Sequence, residues 1–93
     1  MYKILPQTLT DINEFHRSRG FDNESRSRYY GLRVGDTVEL TPLPNIVKRC
    51  DVVGYVICDN NSVYVQDQHG DIYQCVAEWC KIVEKVEDKA PTP

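Results

Sequence analysis

The residues of this 93-residue chain best equipped for chemistry are its four cysteines, Cys50, Cys58, Cys75 and Cys80. The last pair brackets the only tryptophan, Trp79, in GDIYQCVAEWCKIVE. Four thiols would suffice for a structural zinc site, but such sites draw their ligands as close pairs. The intervals here are C-x7-C-x16-C-x4-C, and only the last approaches that spacing. Nothing in the sequence brings His16 or His69 to complete a set. An even number of cysteines also fits a disulfide framework. The start, MYKILPQTLTDINEF, lacks the apolar core of a secretory signal, so reduced thiols are expected. Core filling remains, a task cysteine performs as a small apolar side chain. No metal and no cofactor is expected.

Other reactive types are sparse. Asp67-x-His69-x-Asp71 holds acid and base groups, but a tight hairpin would splay them into solvent. Counted from Asp59, the twelfth position is Gly70, where a calcium loop needs a bidentate glutamate. No phosphate-binding glycine loop, dinucleotide fingerprint or hydrolase elbow occurs. The expectation is a protein that is not an enzyme.

The charge pattern offers a second chemistry. The net charge of −3 divides into +2 over residues 1–35 and −5 over the remainder. The stretch HRSRGFDNESRSRYYGLR carries Arg17, Arg19, Arg26, Arg28 and Arg33, with Tyr29 and Tyr30 among them. Arginine forks pair with phosphate oxygens and tyrosine rings stack on bases, so these seven residues are candidates for a nucleic-acid surface. The competing reading is a solvated helical face laced with ion pairs. Asp22 to Arg26 and Glu24 to Arg28 both have helical spacing.

The elements that must carry these residues fall into three zones. Residues 1–31 read as helical. Thr8 or Thr10 caps a segment in which Leu9, Ile12 and Phe15 recur at helical spacing, and Gly20 stops it. Asp22 caps a second short helix that ends at Gly31. Residues 32–85 have the period of strands, rich in β-branched and aromatic side chains. Within them TPLPNIVKR, with Pro42 and Pro44, reads as a loop. Residues 86–93, VEDKAPTP, read as a disordered tail.

Over residues 31–85 the pattern resembles the SH3-like barrels, including their KOW and Tudor-like groups. The residues that carry it are GLRVGDTVEL, GYV, SVYVQD, HGDIYQC and AEWCKIVE, with VAEW where that family places a helical turn before its last strand. The resemblance implies a mainly β fold: a small five-stranded barrel with one or two short helices packed on its outer face.

Hairpin register then sorts the side chains. A four-residue loop at Asp59–Ser62 sets Val56 opposite Val65 and Cys58 opposite Val63, on the inner face. A three-residue loop, Gln68-His69-Gly70, sets Tyr73 opposite Val65 and Cys75 opposite Val63, with Gly70 left-handed. Cys80 is expected to join them inside. Val53, Tyr55, Ile57, Tyr64, Ile72 and Ile82 then face outward, an apolar surface to be covered by the helix through Leu9, Ile12 and Phe15, by a second copy or by a partner protein. Cys50 precedes its strand and is expected to be reactive.

The functional expectation is a small interaction or adaptor module that binds a protein partner. Its candidate site is the first loop, with Ile46, Val47, Lys48 and Arg49, together with Trp79, which either lines a groove or plugs the barrel end. The alternative is a KOW-type nucleic-acid module using the arginine helices. No apolar run approaches the ~20 residues of a membrane span, and a cytoplasmic monomer or weak homodimer is expected. Size and the absence of a catalytic signature suit a phage or mobile-element accessory protein.

Overall fold

The computed structural model describes residues 2–19, 31–43, 46–56 and 61–89. Among them the chain forms β1 (Tyr2–Ile4), α1 (Pro6–Ser18), β2 (Thr37–Leu43), β3 (Ile46–Tyr55), β4 (Ser62–Gln66), β5 (Ile72–Val76) and β6 (Cys80–Glu84). The strands are antiparallel and build one sheet in the order β1-β5-β4-β3-β2-β6. The protein is therefore mainly β with an N-terminal helix.

Six strands stand where five were expected, and the sheet is unclosed where a barrel was expected. The extra strand is β1, which takes the edge of β5 and sets Ile4 opposite Ile72. The sheet nevertheless curls strongly. Between β5 and β6 lie β4, β3 and β2, which in a flat sheet would separate them by roughly 19 Å at ~4.8 Å per strand. Yet the Sγ atoms of Cys75 on β5 and Cys80 at the start of β6 are 3.7 Å apart. A 3-10 turn, Ala77–Trp79, carries the chain across that opening, where VAEW was expected to turn.

Curling gives the sheet an inside. Val38, Leu40, Cys50, Val52, Val63, Val65 and Cys75 meet there with Leu32 and Ala77, all buried. The second hairpin has the expected register: Val65 opposite Tyr73, Val63 opposite Cys75, and Gly70 at φ +87°. The first does not. Val63 lies opposite Tyr55 rather than Cys58, a shift of three residues, and a bulge that leaves Val53 unpaired between Val52 and Gly54 adds a fourth, so Val65 lies opposite Val52 rather than Val56. The extra residue reverses parity beyond it, so Tyr55 turns into the core and its hydroxyl donates to the Leu32 carbonyl at 3.2 Å. Val56 correspondingly goes to the outer face. Ile82, expected outside, packs against the inner core. Ile57 and Cys58 lie outside the described residues.

Two other expectations change. TPLPNIVKR is not a loop: β2 continues to Leu43 and β3 starts at Ile46. Pro42 is accommodated because the ladder shifts register between Leu40 and Leu43, where a missing N–H is tolerated. Cys50 is thereby placed inside β3, opposite Val38 and buried, not ahead of the strand. At the C-terminus, Val86–Asp88 form a 3-10 turn within the stretch read as a disordered tail.

Helix α1 starts at Pro6, earlier than a Thr8 or Thr10 cap would allow, with the proline in the first turn where its missing N–H costs nothing. It lies on the outer face, where Leu9 and Ile12 pack with Ile4 and Val53 around buried Val56, Tyr64 and Ile72. The approach is close. A Cβ on Gly54 would sit 2.9 Å from Asn13 Oδ1 and 3.0 Å from Leu9 Cδ1. Asn13 Nδ2 also donates to the carbonyl of the bulged Val53 at 3.3 Å. The second predicted helix lies outside the described residues.

Candidate functional site

Strand alternation decides which of the expected contact residues can act together. Lys48 and Arg49 are successive residues of β3 and point to opposite faces. On the inner side, the Lys48 ammonium is 3.2 Å from Asp67 Oδ2 and 3.4 Å from the Tyr73 hydroxyl, 4.4 Å from that ring's centre. Arg49 lies 3.4 Å from Glu39 on the other side. It borders a shallow cleft of about 450 Å³ with Asp51, Gln66, Val83 and Glu84. The two cations therefore do not form one patch. Of Ile46 and Val47 the strand position alone is described, at the start of β3.

Trp79 is placed differently. The pairing of Leu40 with Cys80 sets the Ala77–Trp79 turn against β2 at the root of the β2–β3 hairpin. The Ala77 N–H donates to the Asn61 carbonyl at 2.7 Å, which ties the turn to the edge of β4. Ala77 is buried while Trp79 remains 38% exposed. The turn is thus anchored through its first residue and presents its last to solvent. Val83, 39% exposed, lies in the register shift of β6 between Ile82 and Glu84.

The arginine set is only partly described. Arg17 and Arg19 are exposed at the end of α1, with the Arg19 guanidinium 5.1 Å from the centre of the Phe15 ring. Arg33 belongs to another neighbourhood, its guanidinium 3.9 Å from Glu87 of the C-terminal turn. Arg26, Arg28, Tyr29 and Tyr30 lie outside the described residues.

Asp67 was expected in solvent and is buried instead. Its Oδ1 accepts the backbone N–H groups of His69 at 2.9 Å and Asp71 at 3.0 Å, which closes the hairpin. Burial opposes its charge, but Lys48 and those two N–H donors win, holding the carboxyl below the ordinary 3.8. Asp71 pairs with Lys3 at 3.1 Å. Both carboxylates thus hold strands and loop together.

The described thiols occupy the core. Burial pushes the Cys50 thiol up to about 11, so the expected reactivity is reversed. The contact between Cys75 and Cys80 holds Cys75 below its ordinary value and pushes Cys80 up. Among the described residues no group of three or more histidine, cysteine or carboxylate side chains is arranged to hold a metal ion. No described helix is long and apolar enough to cross a membrane. No family model, curated protein or solved structure matches this chain.

Proposed function

We propose that this chain is a non-enzymatic binding module that takes a protein partner at Trp79, against the root of the β2–β3 hairpin that bears Ile46 and Val47. The observation that carries this reading is a large aromatic left 38% exposed on a turn whose base is buried and hydrogen-bonded. A rigid, exposed tryptophan loses little conformational freedom on binding and buries much apolar area, which is why such residues anchor interfaces. The order β6-β2-β3-β4-β5, with a helical turn between β5 and β6, also supports an SH3-like reading of the fold, to which β1 is an addition. Residues 36–93 carry a charge of −5, which favours a protein over a phosphate backbone as the partner on this side.

Selection of a displayed peptide library on the folded protein tests the proposal. Enriched peptides are expected to shift the emission of the sole tryptophan. Trp79→Ala is expected to weaken them by about 2 kcal/mol, roughly thirtyfold, as for a central interface aromatic. The variant's melting temperature should stay near the parent's. Peptides that bind Trp79→Ala as well as the parent would refute this site. Salt-sensitive binding of nucleic acid, lost in Arg17→Gln with Arg19→Gln, would transfer the function to α1.

A further inference from the structure

We infer that Cys75 and Cys80 form a thiol–disulfide site, closing to a reversible intramolecular disulfide when a hydroperoxide oxidises the folded protein. Their sulphurs are 3.7 Å apart, about 1.7 Å beyond a disulfide bond, and both residues flank the same short turn. No backbone pairing joins β5 to β6, so small rotations about the side-chain bonds can close the gap without breaking a ladder. The other described thiol, Cys50, is pushed up to about 11 by burial, which keeps it protonated. Half-buried Cys80 marks the way in from solvent to the pair, Cys75 itself being 3% exposed.

The chemistry balances with one oxidant. The first thiolate attacks a peroxide oxygen, breaking the O–O bond and giving a sulfenic acid and hydroxide. The second thiol attacks that sulphur, forms the S–S bond and releases water. Two thiols and one hydrogen peroxide become one disulfide and two waters: both sulphurs are oxidised and the peroxide is reduced. The bridge spans Trp79, so closure fixes the turn that carries it. This inference does not depend on the proposed function, since it concerns only the thiols and the turn between them.

The test uses the native protein, hydrogen peroxide and cleavage before aspartates. Residues 71–87 are released as one peptide containing Cys75 and Cys80 and no other cysteine. This peptide is expected to lose the mass of two hydrogens and to regain it with dithiothreitol. Trp79 emission should change over the same time course and recover with it. Cys50→Ser is expected to leave the result unchanged. A 71–87 peptide that keeps both thiols, gains oxygens, or is joined to the Cys50 or Cys58 peptide would overturn the inference. So would pairing that needs prior unfolding in urea.

Discussion

Asp67 illustrates how one side chain can fix a loop and set a pH dependence. Its carboxylate gathers two backbone N–H groups of the turn and the Lys48 ammonium, three donors that each favour the charged form. The folded carboxyl is therefore depressed relative to the unfolded chain. A depressed carboxyl contributes stability above its unfolded value, and that contribution is lost as pH falls through the folded value. The relevant window lies below the ordinary 3.8. At neutral pH, Asp67→Asn is expected to be less stable than the parent. The gap should narrow as urea titrations are repeated at pH values descending below about 3.8. A gap that stays constant down to pH ~2 would mean that the ionised form contributes nothing of its own.

At the scale of elements, helix docking turns on which side chains lie within one arc. Leu9, Ile12, Asn13 and His16 fall on a single stripe at i, i+3, i+4 and i+7, and these are the half-buried and buried positions of α1. Phe15 sits one residue, roughly 100°, away from His16 and is 41% exposed. Ile12→Ser is accordingly expected to cost about 1.5–3 kcal/mol in urea unfolding, whereas Phe15→Ser should stay within about 0.5 kcal/mol. Equal losses would place the docking face elsewhere on the helix. Pattern reading found the helix and its job but chose Phe15, because hydrophobicity alone hides Asn13, a polar residue that the bulge carbonyl of Val53 makes a good contact. The same limit governs the strands. Gly70 announced its turn, and the second hairpin followed from it, since only a few loop geometries accept a left-handed glycine there. The bulge at Val53 had no such marker: Gly54 reads as one more small residue until α1 is seen resting on it. Of the candidate site, Trp79 was legible as an isolated aromatic. The opposition of Lys48 and Arg49 was hidden by two prolines that made a strand look like a loop.

For the whole molecule, the open sheet leaves its ends to be closed by the ends of the chain. β1 covers the edge of β5, and the C-terminal turn covers the corner that leads into β2. At that corner Asp36 is 1% exposed, with Oδ2 accepting the Arg33 N–H at 2.9 Å and Oδ1 accepting the Val86 N–H at 2.8 Å. The Val86 side chain rests on Gly35, whose φ of +103° and lack of a Cβ admit it. The Lys89 ammonium donates to the Gly35 carbonyl at 2.6 Å. A chain ending at Lys85 removes Val86 and Lys89, keeps the Arg33 donor and leaves Asp36 Oδ1 without its own, so it is expected to lose about 1–3 kcal/mol. Val86→Pro separates the hydrogen bond from the cover. It deletes the N–H, keeps apolar bulk over Gly35 and suits the first position of a helical turn. It should therefore show a smaller fall in the urea midpoint than the truncation. If the truncated chain unfolds at the parent's midpoint, the C-terminal turn is a passenger, and the corner at Asp36 is held by Arg33 and Val52 alone.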